Sequence, residues 1–124
     1  TKKPVRAIDI YTPATKTNFF KDFPYFARYV FPANSYKGIT HDTPTVGIPV
    51  IWYVNKDLAA PLVQKMTETA YSKEGHAHML QVHAGARDMA AEKALQGVTF
   101  PLHKGAEDHW RSAGLKIPDA IRAK

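Results

Sequence analysis

Residues 98–115, VTFPLHKGAEDHWRSAGL, form the stretch that decides how the C-terminal part of the chain folds. Pro101 and the residues just after it suit an extended segment and a turn, and residues 104–113 suit a helix. Gly114 follows at the position where helices often end on a glycine in the left-handed conformation. The stretch therefore predicts a helix with defined ends, and it contains no recognisable catalytic motif.

Further helices are predicted after Asn55, where apolar residues recur at the three- and four-residue steps of one helix face. Pro61 lies near the predicted first turn, where its missing N–H costs little. Three helices are predicted here. Asp57 caps the first, which ends between Ser72 and Gly75. The second covers Lys73–Val82, and the third is a short helix over residues 90–95 that ends at Gly97.

Short strands and loops are predicted before Asn55, because prolines recur there and interrupt long helices. Residues 5–11 alternate in polarity, which predicts a strand, and residues 19–30 predict two short helical turns around Pro24. Residues 45–54 are rich in β-branched and aromatic side chains, which predicts a long buried strand. Few strands followed by about four helices indicate an α/β or α+β architecture.

Composition limits the classes of function. The 124 residues suit one domain, and the net charge of +6 favours acidic partners, although no run of five or six basic residues occurs. The absence of cysteine excludes disulfides, thiolate catalysis and zinc–thiolate sites. No apolar stretch approaches the roughly 20 residues of a membrane span. Because the chain starts at Thr1, with no Met and no leader, we expect a mature or truncated product.

Candidate chemical groups are few. His76, His78 and His83 are spaced by two and five residues, which places them on different faces of a helix and disfavours a metal site. His103 suits a cap of the last helix, with Glu107 as the acidic residue of the first turn, and a general base is the alternative role for His103. No nucleophile elbow and no glycine-rich phosphate loop occur. We expect no catalytic residue, metal or cofactor, and hence a protein that is not an enzyme.

An aromatic cluster lies in residues 18–31, NFFKDFPYFARYVF. Interleaved with Lys21 and Arg28, these rings suit a stacking platform for single-stranded nucleic acid. Aromatic residues at such short spacing also suit a packed core. Both interpretations are compatible with the sequence.

Hydroxyl groups concentrate in residues 32–47, PANSYKGITHDTPTVG. Ser35 and Tyr36 lie in a predicted loop, and Thr43 and Thr45 lie at the start of the predicted long strand. Such groups can bind a small polar ligand, or they can satisfy the backbone of their own turns. The sequence leaves both possibilities open.

The order and spacing of several short motifs give a resemblance to a known family. Over residues 30–115 the chain resembles the C-terminal half of the TAXI-type solute-binding proteins of TRAP transporters. The motifs that carry it are a Tyr-x-Gly turn at residues 36–38, an Asp-Thr strand at 42–47, Asp57-Leu58 at a helix start, Pro-Leu-His-x-Gly-Ala at 101–106, Trp110, and Ala113-Gly114.

The resemblance implies a fold of the type II periplasmic-binding-protein kind, of which this chain is the C-terminal portion. Residues 1–45 are then part of the second lobe, residues 46–56 a crossover or hinge strand, and residues 57–124 the helical part that completes the first lobe. We expect the chain's apolar faces to be covered by an N-terminal half of the same protein or by self-association.

The resemblance also implies a function. We expect a periplasmic solute-binding component that captures a small carboxylate, with ligand contacts from Tyr36, Ser35 and Thr45, and presents it to the membrane permease subunits. Nucleic acid is not expected as a partner in this case. The alternative is a basic, non-enzymatic interaction module that binds nucleic acid or an acidic protein.

Overall fold

The computed structural model describes residues 3–124, and the chain divides into two compact units between Val50 and Ile51. The sequence predicted a division a few residues later, near Asn55. Thr1 and Lys2, the first residues of the predicted lobe segment 1–45, lie outside the described residues. The assignment of segments to two lobes of a binding protein stays a prediction.

The N-terminal unit combines two short helices with a two-stranded antiparallel sheet. Its elements are α1 (Tyr11–Thr15), α2 (Phe19–Asp22), β1 (Ala27–Phe31) and β2 (Thr43–Gly47). In the sheet register, Tyr29 lies opposite Thr45 and Phe31 lies opposite Thr43. These directly opposed residues share one face of the sheet, on which Thr43 and Thr45 are buried.

Residues 5–11 do not form the predicted strand. The only sheet among the described residues consists of β1 and β2, so no neighbouring strand pairs with this segment. Asp9 instead accepts hydrogen bonds from Thr12, in the first turn of α1. Of the two helical turns predicted over residues 19–30, α2 is present and the second is wrong, because β1 occupies that position.

The long buried strand predicted over residues 45–54 is wrong beyond Gly47. The pairing with β1 ends at Gly47, so the following residues have no partner strand, and Pro49 has no N–H to donate. Val50 is 91% exposed, which shows that this segment is not buried. The crossover strand predicted over residues 46–56 therefore stops at Gly47, and the hinge role of this segment stays a prediction.

Within residues 51–124, the C-terminal unit contains helices and connecting turns, and no strand. Its α-helices are α3 (Ala60–Tyr71), α4 (Lys73–Val82) and α5 (Lys104–Ser112), and short 3₁₀ turns cover Ala84–Asp88, Ala91–Lys93 and Asp119–Ile121. The prediction of α4 is confirmed at both ends. The predicted cap of α3 is wrong, because Ala59 occupies the cap position and the carboxylate of Asp57 pairs with Lys56 at 2.7 Å.

Side-chain and glycine caps explain where the helices begin and end. The Ser72 hydroxyl accepts the N–H of Gly75 at 3.0 Å and begins α4 directly after α3. Gly114, at φ +86°, ends α5 as predicted. The N–H of Gly114 binds the Arg111 carbonyl and that of Leu115 binds the Trp110 carbonyl, the two hydrogen bonds of a Schellman motif.

The core of the C-terminal unit forms around Trp110. Its indole meets the Tyr71 ring edge-to-face, with the ring centres 4.6 Å apart. Burial raises the pKa of the Tyr71 hydroxyl above its ordinary value. Ile117 and Ile121, from the segment that follows α5, complete the buried cluster. The segment after α5 thus contributes two buried side chains to the core.

Helices α3 and α5 pack closely because Gly105 has no side chain. A Cβ atom at this position would lie 2.1 Å from the carbonyl oxygen of Ala60 and 2.8 Å from the backbone nitrogen of Gln64. No side chain fits in that space. The first turn of α5 is therefore fixed against the first turn of α3.

The described residues form a mixed α and β structure, with two antiparallel strands and five α-helices. The predicted α/β class is confirmed at this level. The type II binding-protein arrangement of two lobes is a finer statement and is taken up as part of the proposal below.

Candidate functional site

An open cleft of about 560 Å³ lies within the N-terminal unit. Two chain segments form it, the one that leads into α1 and the one that leads into β2. Its lining residues are Arg6, Ala7, Ile8, Asp9, His41, Asp42, Thr43 and Pro44. The cleft therefore combines an apolar part with charged side chains of both signs.

Backbone contacts hold the two sides of the cleft in place. The N–H of Val5 donates to the carbonyl of Lys37 at 2.8 Å, which fixes the first segment beside the loop that precedes β2. Gly38 permits this approach, because a Cβ atom there would lie 2.5 Å from the Val5 carbonyl oxygen and because its φ is +100°. The cleft thus depends on a close contact between two backbone segments.

Asp9 has both carboxylate oxygens engaged with Thr12. Its Oδ1 accepts the Thr12 N–H at 2.9 Å and its Oδ2 accepts the Thr12 hydroxyl at 2.6 Å. The hydroxyl bond, followed by the backbone bond, lowers the pKa of Asp9 below its ordinary value. Both oxygens of Asp9 thus hold the first turn of α1.

Asp42 holds the loop that precedes β2. Its Oδ1 accepts the N–H of Ala33 at 2.8 Å, across nine positions of sequence. Asn34, next to Ala33, takes a left-handed conformation with φ of 64°. The second carboxylate oxygen of Asp42 has no hydrogen-bond or ion-pair partner among residues 3–124.

Arg6 contributes the permanent positive charge of the cleft lining. It forms no ion pair or hydrogen bond with the part of the chain that the structure describes. By contrast, six ion pairs lie in the C-terminal unit: Lys56–Asp57, Lys65–Glu68, Lys93–Asp88, Lys104–Asp108, Arg111–Glu107 and Arg122–Asp119. With no partner within residues 3–124, the guanidinium of Arg6 can bind a ligand.

A comparison with protein families shows which family the chain belongs to. The family model described as the NMT1-like family matches residues 1–114. The chain belongs to the NMT1-like family. This family is related to periplasmic solute-binding proteins and is associated with binding and transport components, which indicates a solute-binding or transport-related role outside the cytoplasm. No helix within residues 3–124 has the length and apolar character to span a membrane.

The ligand residues predicted for this NMT1-like chain do not line the cleft. The Ser35 hydroxyl donates to the Pro32 carbonyl at 2.7 Å, as in a turn that satisfies its own backbone. Tyr36 is 54% exposed, with its ring centre 6.5 Å from that of Phe31. Thr45 is buried in β2. Ser35 and Tyr36 share one loop and Thr45 is apart from them, and ligand binding by the three stays a prediction.

Sequence reasoning missed Arg6 and Asp9. The Asp-x-x-Thr spacing of Asp9 and Thr12 is typical of a helix start and could have indicated α1. Nothing in the sequence distinguishes Arg6 from the other basic residues, because its role depends on the approach of residues 41–44 from the far side of the cleft.

Three of the six histidines of this NMT1-like chain, His76, His83 and His103, contact backbone groups through their rings. His76 Nε2 lies 2.8 Å from the Ala86 carbonyl oxygen, and His83 Nδ1 accepts the N–H of Gly85. The predicted cap by His103 is confirmed, since its Nδ1 accepts the N–H of Gly105 at 3.1 Å. Within residues 3–124, no three His, Asp or Glu side chains are grouped to hold a metal ion.

The aromatic side chains of the N-terminal unit pack against one another. The Phe19 ring contacts Phe20, Phe23 and Phe26 with ring centres 5.2 to 5.3 Å apart. The guanidinium of Arg28 lies over the Tyr11 ring, 5.4 Å from its centre. These contacts are those of a local core, and a stacking role toward nucleic acid stays a prediction.

Proposed function

We propose that this chain is part of the periplasmic solute-binding component of a TRAP-type transporter, of the TAXI kind. In this proposal it captures a small carboxylate and presents it to the membrane permease subunits. Its role is binding, and it catalyses no reaction. The proposal is supported by the membership of the NMT1-like family and by the motif order shared with TAXI proteins over residues 30–115.

The free guanidinium of Arg6 is the observation that carries the proposal. Arginine presents its N–H groups in a planar fork that matches the two oxygens of a carboxylate. The side chain lines a cleft, and no acidic partner within residues 3–124 neutralises it. A carboxylate bound there gains a charge-assisted hydrogen-bond pair without breaking an existing ion pair.

The small size of the sheet in the N-terminal unit is a second argument for the proposal. A two-stranded sheet alone is marginally stable in water, and strands β1 and β2 have no further partner among the described residues. We propose that other strands, from the same protein or a second copy, extend this sheet into the lobe of a type II binding protein. Tyr36, at the exposed loop before β2, then lies where a second lobe can approach.

A thermal-shift screen of small carboxylates on the purified protein tests the proposal. A ligand that binds only the folded state, at a hundredfold its dissociation constant, stabilises that state by about 2.7 kcal/mol. We expect at least one amino acid, keto acid or dicarboxylate to raise the melting temperature. We expect R6Q to remove that shift and K16Q, at an exposed lysine outside the cleft, to retain it. Absence of any shift across the panel contradicts the proposal.

A further inference from the structure

The His103 ring joins two parts of the C-terminal unit. Its Nδ1 accepts the N–H of Gly105 at 3.1 Å, in the first turn of α5. Its Nε2 lies 3.2 Å from the carbonyl oxygen of Leu58, in the segment that leads into α3. One imidazole therefore attaches the start of α5 to the backbone that precedes α3.

The two partners of the ring fix where its proton lies. A backbone N–H can only donate, so Nδ1 carries no proton, and a carbonyl oxygen can only accept, so Nε2 carries one. The contacts are those of a neutral imidazole with its proton on Nε2. A second proton, added at Nδ1, would place two donors opposite each other, Nδ1–H and the N–H of Gly105.

The position of the ring at a helix N-terminus also disfavours its charged form. The unpaired N–H groups of the first turn give α5 a positive end, which repels a cation. A carboxylate in contact with the ring would offset this repulsion. His103 has no such partner within residues 3–124, because its side chain contacts only Gly105 and Leu58.

The charged side chains of the segments around the ring pair with one another. The first turn of α3, residues 60–64, contains no titratable side chain. His109, the other imidazole of α5, contacts Trp110, and Lys116 after α5 is a further cation. The ion pairs before α3, in α5 and after it are Lys56–Asp57, Lys104–Asp108, Arg111–Glu107 and Arg122–Asp119. Each pair combines charges of both signs and gives little net field to stabilise a charged ring.

We propose that His103 is a pH-sensitive cap, which holds the start of α5 to the segment before α3 while it is neutral and releases it when protonated. Imidazole side chains ordinarily change charge between about pH 5 and pH 8. Since the folded contacts require the neutral ring, their stabilisation is present above this range and is lost as the pH falls through it. Because the ring is rigid, a rotation that takes Nδ1–H away from Gly105 also moves Nε2 relative to Leu58.

Two other contacts of the C-terminal unit provide internal controls. The Ser72 hydroxyl caps α4 by accepting the N–H of Gly75 at 3.0 Å, and a hydroxyl acceptor does not titrate in this range. His76 Nε2 lies 2.8 Å from the Ala86 carbonyl oxygen, a contact that a charged imidazole also makes. Acid should therefore weaken the cap at Gly105 and leave the one at Gly75.

Amide hydrogen exchange of the full chain, followed by NMR at pH 8 and pH 5, tests the proposal. The readout is the protection factor, the ratio of the intrinsic to the observed exchange rate, which removes the direct effect of pH on exchange. A helix cap is worth roughly 0.5–2 kcal/mol, or roughly two- to thirtyfold in an equilibrium. We expect the protection of Gly105 to fall by about that factor at pH 5 and the protection of Gly75 to stay constant.

Substitutions assign the fall to one ring. H103N keeps a short acceptor that does not titrate, so the protection of Gly105 should be the same at both pH values. H76N removes a different imidazole and should retain the fall at Gly105. Long-range proton–nitrogen NMR correlations at pH 8 should place the proton of His103 on Nε2.

Three results would overturn the proposal. The first is equal protection of Gly105 at pH 8 and pH 5 in the unmodified protein. The second is a fall that H103N retains or that Gly75 shares, because the loss is then not that of the His103 ring. The third is a proton on Nδ1 of His103 at pH 8, which is incompatible with an acceptor for the N–H of Gly105.

Discussion

The Oε2 atom of Glu107 accepts a hydrogen bond from the backbone N–H of Ala123 at 2.5 Å. The other oxygen of Glu107 binds the guanidinium of Arg111, one turn further along α5. Glu107 is 8% exposed, and its carboxylate ties the end of the chain to α5 next to the buried Ile121. The Glu107 side chain thus adds a polar contact to the apolar ones of Ile117 and Ile121 that hold the last segment of the C-terminal unit.

Substitution of Glu107 is expected to change how stability depends on pH. The Ala123 N–H and then Arg111 lower the pKa of Glu107 below its ordinary value of 4.5. A carboxyl with a lowered pKa in the folded state stabilises that state above its unfolded pKa, and this contribution is lost as the pH falls through the folded pKa. We expect E107Q to lower the urea midpoint of unfolding at pH 7. Between pH 7 and pH 3, we expect this midpoint to fall less in E107Q than in the unmodified protein.

The matched control for this prediction is E92Q. Glu92 is an exposed residue of the same unit and forms no hydrogen bond with the described chain. Its substitution should leave the pH dependence as in the unmodified protein. Circular dichroism at 222 nm follows the unfolding of the helical unit, and equal pH dependence in E107Q and the unmodified protein would contradict the assigned role of Glu107.

Substitution of Gly105 is expected to destabilise the contact between α3 and α5. Because a Cβ atom there meets the Ala60 carbonyl oxygen at 2.1 Å, G105A must push the two helices apart. Overpacking of this kind costs about 1–3 kcal/mol, despite the better helix propensity of alanine. S112A, at the exposed end of the same helix, should change the free energy of unfolding by no more than about 0.5 kcal/mol. Urea unfolding that leaves G105A as stable as S112A would refute the close approach.

Removal of the His103 cap is expected to weaken the start of α5. His103 Nδ1 accepts the N–H of Gly105, and Nε2 lies 3.2 Å from the Leu58 carbonyl oxygen. Loss of a helix cap costs about 0.5–2 kcal/mol. We expect H103A to lose about that amount and H103N, which keeps a short acceptor, to lose less. If chemical denaturation shows that H103A and H103N lose the same free energy of unfolding, the cap contributes nothing beyond packing.

The helical half was predictable because its signals are local. Gly114 and His103 act within one turn of the helix that they delimit, and Lys73–Val82 forms a helix directly after the Ser72 cap. The predicted cap at Asp57 failed because this carboxylate pairs with the adjacent Lys56 instead. The sequence pattern does not show which of several nearby polar groups a carboxylate will bind.

The strands and the cleft were not predictable in the same way. The apolar character of residues 48–54 suits a strand, but a strand also requires a partner, and β1 offers none beyond Gly47. The cleft depends on the approach of residues 6–9 to residues 41–44, which no local pattern encodes. Arg6 therefore became a candidate only in the structure, while the predicted ligand residues Ser35, Tyr36 and Thr45 do not line the cleft.

The most direct measurement of the central claim is a calorimetric titration of the purified protein with the carboxylate that gives the largest thermal shift. We predict saturable binding that R6Q weakens about tenfold or more, as expected for the loss of a charge-assisted hydrogen-bond pair, and that K16Q leaves unchanged. Binding that is equal in R6Q and the unmodified protein, or the absence of carboxylate binding alongside salt-dependent binding of an oligonucleotide, would contradict the account.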